Sequence, residues 1–415
     1  MGTNSSFAAS NFEVSNFRQM KILLLCSDDV SFWRNRLGLA CEAKKCGFDV
    51  VVMSPISNRR AEIEKEGIRV IPWNLSRKSL NPLRELRSLL EVVRVYRQER
   101  PDVVQHEALK AVVHGGVAAR FIGTIPSVNI ICGLGSIFTR ATVKMKILRG
   151  ILIRVLAIVF KVENLRLIVM NDDNRATLLN EHVLKADQVS VVPGVGVHPA
   201  RFTAHSEPVG RPIVLLPSRM IWEKGVGEFV AAAQALREKG TSARFVLVGS
   251  PDPDNPGCIS KEQLDLWERS GVVEWWRERS DMPAVYAKST LVCLPSYYGE
   301  GLPNVLTEAG ASGRAVVTTD VPGCRQAVSH EVNGLLVPAR DAKALAVAIE
   351  RLLNDTELRR RLAWKGRERA LNEFSHATIV GVMLEIYRGV LGKKWPAESG
   401  AMSGRKMHEP DLVAS

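Results

Sequence analysis

Apolar runs of strand length alternate along most of the chain with longer stretches whose apolar residues recur at helical spacing. Residues 20–25 read as a buried strand, and Cys26-Ser27-Asp28-Asp29 as the loop that leaves it. A helix over 33–45, stopped by Gly47, leads to a strand over 48–53. A helix around 58–66, a strand over 68–71, a helix over 82–99 and a strand over 102–105 continue the alternation. A helix over 109–121 and a strand over 126–131 come next. A long segment then runs to Lys161, followed by a strand over 167–170, a helix near 172–181 and a strand over 188–192. Strand and helix in regular turn predict a parallel, doubly wound α/β sheet.

Pro193-Gly194-Val195-Gly196-Val197 and the polar stretch 203–212 break this pattern and mark a domain boundary near 200. A second series follows, with strands over 213–216, 244–248, 272–275, 290–294, 315–318 and 334–337. Helices near 341–353, 356–372 and 377–390 close the chain. The expected organisation is a disordered extension (1–19), a first domain (20–200) and a second domain (201–375). A closing helix (376–393) is expected to pack back on the first domain, ahead of a disordered tail (394–415). Two doubly wound domains in tandem leave a cleft, and parallel sheets bind ligands beyond the carboxyl ends of their strands.

The 415 residues suffice for two such domains, and a hydrophobic fraction of 46% is that of a globular protein. The seven cysteines have no metal-site spacing, which points to structural thiols in a reducing compartment. The first 19 residues lack the basic and apolar regions of a signal peptide. A net charge of +12 suits nucleic acid, an anionic membrane or an anionic substrate. No zinc finger, RNP-type strand or basic region is visible, so nucleic acid is set aside. Much of the positive charge lies in one segment, where Arg140, Lys144, Lys146, Arg149, Arg154, Lys161 and Arg166 face a single acid, Glu163. Apolar runs over 151–153 and 155–160 lie between these cations, too interrupted to span a bilayer. The segment fits an interfacial helix on an anionic bilayer, with Lys144, Arg149 and Arg154 facing the lipid. It also fits a buried crossover helix whose arginines snorkel to water.

Candidate chemistry sits after the strands. The stretch 295–318, PSYYGEGLPNVLTEAGASGRAVVT, follows an apolar run and holds a turn cluster, then a helix from Pro303 to Gly313. A helix N-terminus at a strand end collects unpaired N–H groups and binds anions. Glu300 lies at the helix mouth and Glu308 in its second turn. They are either solvated surface residues or contacts to a long ligand with an anionic middle, such as a nucleoside-diphosphate sugar. Arg219 and Lys224 flank the loop after 213–216, where a guanidinium fork and an ammonium can hold phosphate. Gly249 permits close ligand approach or a tight turn. Trp276, beside Arg277, is either a stacking face for a base or a core residue. Gly133 and Gly135 flank a strand end in the first domain, and His106 and Glu107 follow the strand over 102–105.

The motifs YGEGLPNVLTE and SRMIWEKG resemble the signature of the retaining family 4 glycosyltransferases of the GT-B fold. The resemblance runs over about 20–392. SRKSLNP, GLGS, EKGVGEF and RSDM are similar to bacterial transferases that extend polyprenyl-diphosphate-linked glycans, N-acetylgalactosaminyltransferases among them. The resemblance implies two Rossmann-like domains facing across a cleft and metal-independent, retaining transfer from a UDP-sugar, a UDP-N-acetylhexosamine in the nearer matches. It implies no cofactor beyond that donor substrate. The acceptor would be a polyprenyl-diphosphate-linked or other surface-glycan precursor, met at the inner face of the plasma membrane by a cytoplasmic, peripherally attached enzyme. Arg219 and Lys224 match the cations of the donor diphosphate site. Glu300 and the loop Gly301, Leu302, Pro303, Asn304 and Val305 would hold the donor sugar, and Glu308 the ribose. Gly249, Trp276, Arg277, Gly133 and Gly135 would complete the donor surroundings. His106 stands where members often carry a histidine near the reacting sugar. Two features depart from the family: Arg277 replaces a small residue, and Ser27-Asp28-Asp29 replaces a glycine-rich loop. A nucleotide-sugar 2-epimerase or a soluble transferase of the same fold are the alternatives, and the basic apolar segment argues against both. A non-catalytic binding protein would be expected to lose Glu300, Arg219 or Lys224, all of which are present.

Overall fold

The computed structural model describes residues 19–395 except 77, 78, 80, 134–142, 163, 183 and 298, and of Lys144 only the backbone. Among them, two parallel sheets form the frame. The first holds β1 (Lys21–Leu25), β2 (Asp49–Ser54), β3 (Arg69–Pro72), β4 (Val103–Glu107), β5 (Ser127–Ile131), β6 (Leu165–Val169) and β7 (Val189–Val191). Their order is β3-β2-β1-β4-β5-β6-β7. The second holds β8 (Ile213–Pro217), β9 (Arg244–Val248), β10 (Glu274–Trp275), β11 (Leu291–Leu294), β12 (Ala315–Thr319) and β13 (Leu335–Val337). Their order is β10-β9-β8-β11-β12-β13. Chain order reverses between β1 and β4, and again between β8 and β11. Those are the points where a parallel sheet opens a crevice at its carboxyl edge.

Helices cover both faces of each sheet, so β4, β5, β8 and β12 are buried along their whole length. In the first domain these are α1 (Asp29–Asn35), α2 (Leu37–Lys45), α3 (Arg60–Lys65), α4 (Pro82–Glu99), α5 (Leu109–Ile122), α6 (Val143–Val159) and α7 (Asp172–Asn180). In the second they are α8 (Val226–Glu238), α9 (Lys261–Arg269), α10 (Met282–Lys288), α11 (Asn304–Ala311), α12 (Pro322–Ala327), α13 (Ala342–Asn354) and α14 (Thr356–Asn372). The last helix, α15 (His376–Leu391), returns to the first domain. Its Ile379, Val380, Met383, Leu384 and Tyr387 join a core with Ile22, Leu24, Val128 and Ile168. The chain therefore passes between the domains twice, and the two passages are bonded side by side. Val197 N–H donates to the Phe374 carbonyl and His376 N–H to the Val197 carbonyl, each at 2.8 Å. The His198 and His376 rings stack with centroids 4.1 Å apart.

Two local expectations change. The helix expected over 33–45 is two helices. It begins earlier, because Asp28 caps α1 by accepting the Ser31 N–H at 2.6 Å. It breaks at Arg36, whose guanidinium turns into the protein and donates to Glu107 at 3.0 Å. A buried carboxylate needs such a partner. His106 is not a loop residue. β4 runs two residues further than the sequence pattern suggests, and the ring is fully buried in the sheet. Its Nδ1 lies 2.7 Å from Asn129 Oδ1 and its Nε2 2.9 Å from the Tyr96 hydroxyl. Gly115 on α5 makes room for it. With both nitrogens engaged inside the core, His106 does not reach the cleft.

Burial holds the His106 imidazole down at about 4, and burial together with His198 does the same to His376. Both are neutral in the fold, whereas in the unfolded chain they take up protons below about 6.5. Stability is therefore full above about pH 6.5 and is lost as the pH falls toward 4. Thermal melts should decline across that window by an amount that includes on the order of 3 kcal/mol from His106. His106→Gln should flatten the decline, and an unchanged slope would contradict the buried neutral imidazole.

Candidate functional site

The carboxyl ends of β8 and β11 lie at the switch point of the second sheet, and their loops are stitched together. Tyr297 N–H donates to the Glu223 carbonyl at 2.9 Å. Ser296 Oγ, fully buried, is 3.1 Å from the Glu223 carbonyl and 2.8 Å from Glu300 Oε1. Lys224 Nζ forms an ion pair with that same Glu300 oxygen, the two side chains being only 13% and 10% exposed. Gly225 permits this approach. Its φ is +76°, and a Cβ there would collide with the Pro295 carbonyl oxygen. The sequence thus locates Glu300 and Lys224 on separate loops, and the fold brings them into contact.

α11 begins directly after this loop. Leu302 and Pro303 are buried, Val305 is half-buried and Asn304 is exposed. Pro303 occupies the N-cap and supplies no side-chain cap, which leaves the helix mouth to an anion. Glu308 in the second turn accepts from the Tyr286 hydroxyl at 2.9 Å. Burial pushes its carboxyl up, against that hydrogen bond and the opposing pull of Arg201 and of Arg34 on α1.

The remaining candidates divide. Arg219 sits on the outer rim, 52% exposed, and donates to Asp252 Oδ2 at 2.6 Å rather than joining Lys224. Gly249 serves the turn: φ is +137°, and a Cβ would collide with the Ser218 carbonyl oxygen of the β8 loop. Its N–H donates to the Arg277 carbonyl at 2.7 Å. The Arg277 guanidinium lies 3.6 Å from the centre of the Trp275 ring and pairs with Glu268 at 3.0 Å. Trp276 packs on the second domain's core, its indole N–H donating to Glu274 at 3.1 Å. Gly133 abuts the site from the first domain, where a Cβ would stand 3.1 Å from the Gly299 carbonyl oxygen. Gly135 lies outside the described residues.

Across the cleft stands a group the sequence did not reveal. The Arg36–Glu107 pair closes the β1–β4 switch point, with Cys132 Sγ 3.9 Å from Glu107 Oε1. Burial, then the Glu107 charge, pushes the Cys132 thiol up to about 12. Asn171, after β6, reaches the Glu300 loop: Nδ2 donates to the Gly301 carbonyl at 2.8 Å and to the Glu300 carbonyl at 3.1 Å. Nothing local marks this contact, because its partners are 129 and 130 residues away. No group of three or more metal-ligating side chains occurs among the described residues.

The basic segment packs as a crossover helix on its inner side and is exposed on its outer side. Leu156, Val159 and Phe160 of its inner side join the core with Val112 of α5. Outward, Val143, Ile147, Ile151 and Ile158 are each more than half exposed, and exposed Arg154 falls in the same stripe. Arg149 does not face outward as expected. Its guanidinium pairs with Glu181 of the same domain. The Lys144 side chain lies outside the described residues. Among these residues no helix is long and apolar enough to cross a membrane.

Two facing parallel-sheet domains with the candidate site in their cleft are the GT-B architecture. Solved structures agree on that architecture. A glycosyltransferase from Rickettsia africae aligns over 90% of this chain and 99% of its own, with TM-score 0.72 and 19% identity. Anabaena Alr3699/HepE in complex with UDP aligns over 89% and 99%, with TM-score 0.71 and 21% identity. Residues 21–164 match the "Glycosyl transferase 4-like" family model, and 199–369 match "Glycosyl transferases group 1". A Campylobacter jejuni relative is 30% identical over 385 residues, 90% of this chain and 99% of its own. It is an N,N'-diacetylbacillosaminyl-diphospho-undecaprenol alpha-1,3-N-acetylgalactosaminyltransferase. The Staphylococcus aureus capsular polysaccharide glycosyltransferase CapM is 24% identical, covering 84% of this chain and 92% of its own. The chain belongs to this glycosyltransferase family, group 1 and 4-like. A glycosyltransferase is thereby favoured over an epimerase.

Gly225→Ala should separate strain from contact. Gly240 has a similar φ, +83°, and a Cβ placed there would meet nothing within 4 Å. Gly240→Ala should cost about 1–2 kcal/mol from backbone strain alone. Gly225→Ala should lower the melting temperature further, measured by differential scanning calorimetry. Equal effects in both variants would show that the two loops tolerate separation.

Proposed function

We propose that this enzyme moves a sugar, an N-acetylhexosamine in this reading, from a UDP-sugar to a polyprenyl-diphosphate-linked glycan, with retention of configuration. The observation that carries the reading is the Lys224–Glu300–Ser296 cluster at the uncapped mouth of α11. The Campylobacter relative supports the acceptor class. In this mechanism the donor diphosphate takes Lys224 as its counter-charge, with Arg219 swinging from Asp252 to the outer phosphate. The backbone N–H groups of Gly301, Leu302, Asn304 and Val305 stabilise the charge that develops on leaving. Glu300 holds the donor sugar hydroxyls and Glu308 the ribose. The departing phosphate accepts the proton of the attacking hydroxyl.

Transfer to a polyprenyl-diphosphate-linked oligosaccharide from UDP-N-acetylhexosamines, with the new anomeric centre read by NMR, tests the proposal. Turnover should persist in EDTA, since Lys224, Arg219 and the helix amides supply the positive field. Lys224→Ala should lower kcat by about 10²–10³ with the fold intact. An epimerised nucleotide sugar formed without acceptor, or full activity in Lys224→Ala, would overturn the reading.

We also infer that the enzyme works on the cytoplasmic face of an anionic membrane. The exposed stripe of α6 supports this. So does α4, which packs on the same α5 and exposes Leu83, Leu86 and Leu90 beside Arg87 and Arg94. Each helix follows a strand of a parallel sheet, so both begin at its carboxyl edge. Leu83, Leu86, Val143 and Ile147 thus lie toward the cleft end of the domain, where a lipid-linked acceptor would enter. Each Arg near an anionic surface adds about 1 kcal/mol, screened by salt. Ile147→Gln with Ile151→Gln should weaken binding to anionic vesicles at least ~10-fold while leaving the melting temperature near wild type. Arg149→Gln should do the reverse, because Arg149 serves the fold. Vesicle binding that survives the double change would remove α6 from the membrane surface.

A further inference from the structure

Asn171 is fully buried where the two domains meet, and every polar group of its side chain is used. Oδ1 accepts the Asn174 N–H at 2.8 Å and caps α7 in the first domain. Nδ2 directs its two hydrogens at the Gly301 and Glu300 carbonyls of the second domain. The amide cannot be turned over. A flip would set its oxygen against two carbonyl oxygens and its NH₂ against an N–H.

The peptide it grips is enclosed. A Cβ on Gly301 would collide with the Cys132 carbonyl oxygen at the end of β5 and stand 2.7 Å from Met170 Sδ. On the other side, a Cβ on Gly323 of α12 would stand 2.6 Å from both the Gly301 carbonyl oxygen and Glu300 Cβ. The Glu300 backbone is thus clamped between domains, while its carboxylate is held by Ser296 and Lys224 within the second domain. If the domains part, Asn171 leaves both carbonyls at once and the peptide keeps only its own domain's contacts.

We propose that Asn171 is a positioning residue that makes the orientation of Glu300 conditional on domain docking. The donor sugar is then held for transfer only when the acceptor domain is in place. This rests on the reading of Glu300 as the group that holds the donor sugar.

Three variants separate the two jobs of Asn171. Asn171→Ser and Asn171→Asp both keep an N-cap acceptor. Ser is too short to reach the second domain, and Asp presents an oxygen to two carbonyls. Asn171→Ala loses cap and bridge together. With UDP-sugar donor and glycan acceptor, Ser and Asp variants should lose roughly 30-fold in kcat, about 2 kcal/mol at 1.36 kcal/mol per decade. UDP affinity should stay within about threefold of wild type, since the bridge touches only the loop backbone. Small-angle scattering with UDP bound should show a more open particle. Asn171→Ala should also melt earlier than Asn171→Ser, which keeps the cap.

Unchanged kcat in the Ser and Asp variants would reduce Asn171 to a helix cap and overturn the proposal. Equal losses of kcat and UDP affinity would indicate general distortion and overturn it as well. If Asn171→Asp fails to fold, the Ser variant decides. Glu300→Gln tests the underlying reading separately: wild-type transfer there would remove the role of Glu300 whatever Asn171 does.

Discussion

The contact between Lys224 and Glu300 is the constraint around which the cleft is built. Taking two charges out of water costs several kcal/mol per ion, and their attraction offsets it only when geometry is tightly held. Here the geometry is held from every side. Ser296 fixes the same carboxylate oxygen, Tyr297 ties its loop to Glu223, and the glycine at 225 lets the loops touch. Thr319 at the end of β12 donates to the Ser296 carbonyl and braces the turn from below. Such a pair is poised for exchange. An anionic ligand bound at the mouth of α11, as proposed, would meet an ammonium already stripped of most of its water, where its field is strongest.

The frame of the molecule was legible because strand and helix alternate with clear punctuation, and the Glu300 loop because its signals are local. An apolar run, a glycine-flanked acid and a helix-starting proline lie within a few residues of one another. What escaped the sequence is what depends on distant partners. Arg36 breaks a helix because Glu107, 71 positions on, draws it inward. His106 is a core residue because Asn129, Tyr96 and the gap at Gly115 receive it. Arg149 sits in a run where the sequence suggests a lipid-facing cation, yet Glu181 claims it. Gly249 looked equally fit for ligand or turn, and the neighbouring Ser218 carbonyl, invisible in the sequence, accounts for the glycine through the turn.

The first domain divides its labour by face. One side of its sheet is sealed by α15 and α2, which contribute to one continuous core. The other carries α5, whose alanines and glycines let the sheet and α6 close upon it. Gly116 in particular leaves space for Val159. That recessed helix is what leaves α4 and α6 standing on either side, with apolar side chains turned to solvent. A fold that needed only stability would have little use for isoleucines in that position.

The paired passages between the domains have a consequence for how such enzymes can be recombined. Because α15 belongs to the first domain's core, the second domain is an insertion, entered near Val197 and left near Phe374. The two ends of that insertion are hydrogen-bonded neighbours. The second domain of a relative could therefore be exchanged as one closed segment between those points, with the recipient's terminal helix left in place. A simple head-to-tail fusion at the first passage would instead import a foreign helix into the first domain's core. Both sheets would be intact, and the mismatch would lie along the buried face of α15.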